Sequence, residues 1–166
     1  MSNKNYILSK EAANQKLQRL ALEVAEELNE DNNDLIILGI KESGMIIAEK
    51  IAQLVKQYLP QSIQVFPIRI NKHNPKDVAI EANINFEGKT ILLCDDVANS
   101  GKTLLYALNP LLETYPKSIQ ILVLVERSHK RFPVKPDFVG LSLATTLQDN
   151  IVVEIEGNEV VGAFVQ

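Results

Sequence analysis

Short apolar runs alternating with amphipathic helical stretches make this 166-residue chain an α/β protein organised on a central parallel sheet. Three observations carry that assignment. Runs such as Leu35-Ile36-Ile37-Leu38-Gly39-Ile40 and Thr90-Ile91-Leu92-Leu93-Cys94 are continuous rather than alternating, as in strands buried on both faces. Between them lie stretches whose apolar residues recur at spacings of three and four. Near the end, two apolar strands flank Glu156-Gly157-Asn158-Glu159, whose Gly and Asn suit a hairpin turn.

Taken in order, the first helix is expected over residues 10–28. Ser9 is its N-cap, and Leu17, Leu20, Ala21, Val24, Ala25 and Leu28 form one stripe. A polar loop at 29–34 leads to the strand 35–40, and a second helix at 45–59 is stopped by Pro60. Residues 63–70 form a strand whose Pro67 places it near a sheet edge. The polar run Asn71-Lys72-His73-Asn74-Pro75-Lys76-Asp77 reads as a loop. A strand at 90–94 and a helix at 102–113 follow, then strands at 118–125, 138–143, 151–155 and 160–165. No internal repeat or linker interrupts the pattern, so 1–166 is expected to be a single domain.

Composition excludes some functions. At 46% hydrophobic and 23% charged residues the chain is ordinary globular material, and no apolar run approaches the roughly 20 residues of a membrane span. Met1-Ser2-Asn3-Lys4-Asn5 lacks the apolar core of a signal peptide, so a cytoplasmic location is expected. The lone Cys94 sits within an apolar run, with no second cysteine for a disulfide or a zinc site. A net charge of −4 disfavours a general nucleic-acid surface. A local basic cluster remains at Arg127, His129, Lys130, Arg131 and Lys135, either a solvated turn or a functional patch.

The chemistry concentrates in Asp95-Asp96-Val97-Ala98-Asn99-Ser100-Gly101-Lys102-Thr103. Two carboxylates stand at the carboxyl end of a buried strand, where open α/β sheets bind ligands. The small-residue turn behind them offers N–H groups and hydroxyls to a phosphate. A ribose 5-phosphate, a diol at one end and a phosphate at the other, would satisfy both halves. Gly101-Lys102-Thr103 also looks like the end of a P-loop, but that pattern requires glycine at position 96, where Asp96 would face a triphosphate with negative charge. The plainer alternative is a strand-to-helix turn with solvated acids and Ser100 as N-cap.

These residues resemble the phosphoribosyl pyrophosphate (PRPP) motif of type I phosphoribosyltransferases, an apolar strand, two acids and a T-G-[RK]-T-like loop. The stretch Leu35-Ile36-Ile37-Leu38-Gly39-Ile40-Lys41-Glu42-Ser43-Gly44 is similar to that family's pyrophosphate loop. Val125-Glu126-Arg127-Ser128-His129 and Val134-Lys135-Pro136-Asp137-Phe138-Val139-Gly140 resemble the pyrimidine-operon attenuator/uracil phosphoribosyltransferase branch, and the second of these also resembles hypoxanthine phosphoribosyltransferases.

The resemblance implies a phosphoribosyltransferase-like fold, with helices flanking the parallel sheet, a small hood and a C-terminal β-hairpin. It also implies transfer of ribose 5-phosphate from PRPP to a base, uracil first and a 6-oxopurine second, with release of pyrophosphate. Asp95 and Asp96 would hold the ribose hydroxyls; Ala98, Asn99, Ser100, Gly101, Lys102 and Thr103 would cradle the 5-phosphate. Lys41, Glu42, Ser43, Gly44 and Arg69 would receive pyrophosphate, and Lys135, Phe138, Val139 and Arg127 would bind the base. Mg²⁺ would arrive with PRPP, near Asp95 and Asp96, and a homodimer is expected. The rival function is an RNA-binding regulator that keeps the nucleotide pocket. Three departures bear on these roles. Ser100 replaces the usual Thr, which keeps the hydroxyl. Asn99 stands where the purine-salvage branch carries an acid, and an amide cannot serve as a general base. The segment 71–88 is shorter than in the attenuator branch and lacks its aromatic-Arg-Asp-Asp stretch, leaving either a reduced lid or a surface loop.

Overall fold

The computed structural model describes residues 4–71, 73–146 and 148–166; Lys72 of the polar run and Met1 to Asn3 lie outside them. The chain runs β1 (Asn5–Ser9), α1 (Lys10–Glu27), β2 (Leu35–Ile40), α2 (Ser43–Val55), β3 (Ile63–Ile70), β4 (Val78–Ile80), β5 (Thr90–Ala98), α3 (Lys102–Ala107), α4 (Asn109–Leu112), β6 (Ser118–Arg127), β7 (Phe138–Leu143), β8 (Ile151–Glu156) and β9 (Glu159–Val165). Six strands form the main sheet in the order β4-β3-β2-β5-β6-β7, and β1-β9-β8 form a separate antiparallel sheet. Every pairing in the main sheet is parallel except β3 with β4.

The continuous apolar strands are buried on both faces, as their sequences require. Leu35 and Ile37 of β2 point into a core with α1, α2 and the small sheet. Ile36, Leu38 and Ile40 point into a second core with Leu104, Ala107 and Leu111 of α3 and α4. Ser9 caps α1 as expected, its hydroxyl accepting the Ala12 amide at 3.1 Å.

Several boundaries differ from the sequence expectation. β5 does not end at Cys94 but continues to Ala98, because Asp95, Val97 and Ala98 pair with Val123, Val125 and Glu126 of β6. The acidic pair is therefore part of the strand. β6 likewise continues to Arg127. The helix expected at 102–113 is two short helices, with Pro110 in the first turn of the second, where a missing N–H is tolerated. α2 begins at Ser43 and ends at Val55, short of Pro60. Residues 71–88 are not all loop, since Val78–Ile80 folds back on Ile68 to Ile70 as β4. β1, absent from the sequence reading, completes the small sheet by pairing with β9.

In the main sheet, connections run one way from β2 to β3 and β4 and the other way from β5 to β6 and β7. The direction reverses between β2 and β5. Such a switch point opens a crevice at the carboxyl ends of the strands.

Candidate active site

A cavity of about 380 Å³ occupies that crevice. Its floor and one side are Ile40, Lys41, Glu42 and Ser43 after β2; its other side is the continuous run from Asp95 to Leu104. Asn150, Ile151, Val152 and Val153, at the start of β8, close it from the small sheet. Eleven residues of the sequence-derived set thus share one space: Lys41, Glu42, Ser43, Asp95, Asp96, Ala98, Asn99, Ser100, Gly101, Lys102 and Thr103.

Local geometry explains the arrangement. Asp95 is buried at 8% exposure and its carboxylate accepts the Asp96 amide at 2.9 Å; the Asp96 carboxylate accepts the Val97 amide at 2.8 Å. Gly101 has a φ of 85°, a left-handed conformation that glycine adopts freely, and it turns the chain from β5 into α3. Ser100 is not the N-cap of α3, but its hydroxyl accepts the Lys102 amide at 3.2 Å, and its carbonyl accepts the amides of Arg131 and Phe132 at 3.1 Å each. The loop is thus braced from behind by the turn after β6.

Gly44 does not line the cavity, yet it sets its width. A Cβ there would lie 2.8 Å from the Cys94 carbonyl oxygen and 2.9 Å from Asp95 Oδ1, so only glycine lets α2 pass this close to β5. Glu42, the N-cap of α2, makes no side-chain cap hydrogen bond, and the positive end of the 13-residue helix faces the cavity. Lys41 pairs with Glu81 at 3.0 Å, and the same carboxylate takes Arg69 at 2.6 Å. The two cations hold the Glu81 carboxyl below the usual carboxylate range, the hydrogen bond from Lys41 first. Arg69 itself is outside the cavity lining, beside Asn71 and Asp77. Cys94, directly under Asp95, is wholly enclosed; burial and then the neighbouring carboxylate push its thiol far above the ordinary range.

Three of the residues expected at the base stand elsewhere. Lys135, Phe138 and Val139 line a separate depression with Glu23, Glu26 and Glu27 of α1. The reason is register: Phe138 opens β7 opposite Leu122, well before the carboxyl end of β6 at Arg127. Phe138 is core, packed in the cluster that contains α1. Arg127 does sit at a strand end but is buried at 5% exposure behind the cavity wall, donating to Asn99 Oδ1 at 3.3 Å and to the Asp149 carbonyl at 2.7 Å. The wall that faces the acidic pair is Asn150 to Val153, which the sequence reading missed; these residues carried no signal beyond an ordinary strand start.

Among the described residues, no group of three or more His, Cys, Asp or Glu side chains is placed to hold a metal ion, and no helix is long and apolar enough to cross a membrane.

Comparisons with known proteins bear on family and fold. Residues 5–156 match the phosphoribosyl transferase domain family. The chain is 32% identical over 165 residues to the bifunctional protein PyrR of Brevibacillus brevis, spanning 93% of this chain and 92% of that protein. It is 32% identical over 155 residues to the bifunctional protein PyrR 1 of Lactiplantibacillus plantarum, spanning 86% of each. In fold it is similar to the hypoxanthine phosphoribosyltransferase of Trypanosoma cruzi, with a TM-score of 0.80 over 98% of both chains at 13% identity.

Proposed function

The chain belongs to the phosphoribosyl transferase family, and from that premise we propose that this PRPP-dependent phosphoribosyltransferase transfers ribose 5-phosphate to uracil, releasing pyrophosphate, with 6-oxopurines as second choice. The observation that carries the reading is the convergence on one cavity, at the switch point of the sheet, of the acidic pair, the 98–103 loop and the start of α2.

The reaction breaks the bond between C1 of the ribose and the pyrophosphate oxygen and forms one from C1 to a ring nitrogen. Its transition state carries positive charge on the sugar and negative charge on the leaving group. Catalysis is then positioning and electrostatic stabilisation. Asp95 and Asp96 accept hydrogen bonds from the ribose 2- and 3-hydroxyls and place negative charge by the developing cation. Backbone N–H groups of residues 98–103, with the hydroxyls of Ser100 and Thr103, hold the 5-phosphate, and Lys102 adds counter-charge. Lys41 and the uncapped start of α2 receive the departing pyrophosphate. Asn150 to Val153 form the wall against which the base lies, in place of Phe138 and Val139.

Two carboxylates beside a diol suit Mg²⁺, which keeps much of its water and takes its remaining oxygens from the substrate. Asp95 and Asp96 would hold such an ion together with PRPP, and its charge would offset that of the diphosphate. A cytoplasmic homodimer is part of the same proposal, checked by sedimentation. The regulator reading needs a basic surface. In the 127–135 cluster, however, Arg127 is buried and Lys130 is paired with Glu126 at 2.5 Å, which leaves only His129, Arg131 and Lys135 facing solvent.

The deciding experiment is pyrophosphate release from PRPP with Mg²⁺, screened against uracil, hypoxanthine, guanine, xanthine and adenine. Turnover with uracil is expected. Turnover with a purine alone would reassign the acceptor, and nucleotide binding without turnover on any base would favour a regulator.

A further inference from the structure

We propose that Asn99 is a positioning residue: its carboxamide latches the start of β8 to the loop after β5, so that the two opposing walls of the cavity form one unit. Asn99 Nδ2 donates to the Ile151 carbonyl at 3.0 Å, and the Ile151 amide donates back to Asn99 Oδ1 at 2.9 Å. Both residues line the cavity.

The topology explains why this side chain is needed. Among the described residues, β8 is the edge of the small sheet, paired with β9 alone. Asn150 exchanges both main-chain hydrogen bonds with Gln166, at 3.0 and 2.8 Å. Main-chain groups alternate in direction along an antiparallel strand, so those of Ile151 point off the open edge. Asn99 meets them there with a donor and an acceptor in peptide-like geometry, acting as a one-residue neighbouring strand. Among residues of this size only Asn offers both; Asp accepts alone, and its carboxylate would face the Ile151 carbonyl. Arg127 backs the pair, bridging Asn99 Oδ1 and the Asp149 carbonyl just before β8. Buried at 5% exposure, it ties Asn99 and the Asp149 carbonyl to the main sheet.

Oδ1 of Asn99 and one of its two Nδ2 hydrogens are therefore committed to the chain itself. The residue fixes the distance between the phosphate loop and the base wall while the acceptor is read by other groups. The kinetic consequence rests on the proposed phosphoribosyl transfer; the latch rests on geometry alone.

Amide hydrogen exchange of the full-length protein, followed by NMR in wild type, Asn99→Ala and Asn99→Asp, tests the latch without any substrate. Asn99→Ala should speed exchange of the Ile151 amide by about tenfold or more, as expected for loss of its Asn99 Oδ1 acceptor in a locally opening segment. Asn99→Asp, the same size and still an acceptor, should speed it less. In kinetics, the KM for the acceptor base should rise in both variants by at least about fivefold more than the KM for PRPP, because the wall is loosened more than the phosphate loop. Unchanged Ile151 exchange in Asn99→Ala would overturn the latch, and so would equal rises in the two KM values. A protein that turns over no base but shows the expected exchange pattern would keep the latch and overturn the transferase reading.

Discussion

Asp95 and Asp96 are adjacent in a strand, where successive side chains point to opposite faces. Both nonetheless border the cavity, because β5 reaches its carboxyl end there and each carboxylate is folded back onto the next amide. Those hydrogen bonds need only an acceptor, which an amide side chain also supplies. Replacing both with Asn should therefore leave the fold intact, with stability within about 1 kcal/mol of wild type. Turnover should fall by about two to three orders of magnitude or more, the scale on which a preorganised electrostatic contact acts. Steady-state kinetics beside a urea denaturation curve separates the two effects. Full activity in the double variant would show that the ribose lies elsewhere.

At the scale of elements, β4 gives the segment 71–88 a role that its polar composition hid. It places Glu81 between Lys41 and Arg69, so the cation expected at the pyrophosphate already has a carboxylate partner. On the proposed reading, an incoming diphosphate would displace that partner. Glu81→Gln should lower the KM for PRPP by about two- to fivefold, the small effect expected of a partly exposed, solvent-screened ion pair. Initial rates at varied PRPP would read this directly, and a raised KM would mean that Glu81 organises the cations instead of competing for them. The contrast with the 95–103 run shows what sequence can carry. Acids, turn and phosphate loop are contiguous there, and the residue types declare their chemistry. β1 and β4 are different: Asn5-Tyr6-Ile7-Leu8-Ser9 and Val78-Ala79-Ile80 become strands through pairing with β9 and β3. The cavity wall at 150–153, proposed to face the base, reaches the cavity only because the small sheet packs over α1, and no local pattern encodes that. Phe138, with the stronger local signal, is held in the core by the register of β7.

Across the whole molecule, the carboxyl ends of the strands carry the candidate chemistry while the opposite end carries a polar knot that ties the sheet together. Asp31, in the α1–β2 connection, accepts from the Thr90 hydroxyl at the start of β5 at 2.5 Å, from the Asn33 amide at 2.9 Å, and from Lys117 just before β6 at 3.1 Å. Its side chain is 12% exposed. These hydrogen bonds, that of Thr90 foremost, hold its carboxyl well below the usual carboxylate range. A carboxylate with a depressed folded-state pKa stabilises the fold fully above its unfolded value, near 3.9, and loses that contribution as pH falls toward the folded value. Asp31→Asn should therefore cost about 1–3 kcal/mol at pH 7, the range for hydrogen bonds to a charged group. The gap between wild type and variant should narrow below about pH 4, by up to ~1.4 kcal/mol per pH unit. Urea denaturation at pH 7, 5 and 3 measures it. Because the knot and the cavity lie at opposite ends of the same strands, the KM for PRPP should be unchanged in Asp31→Asn at pH 7. A constant gap across the three pH values would show that the Asp31 charge contributes nothing to holding the ends of β5 and β6 together.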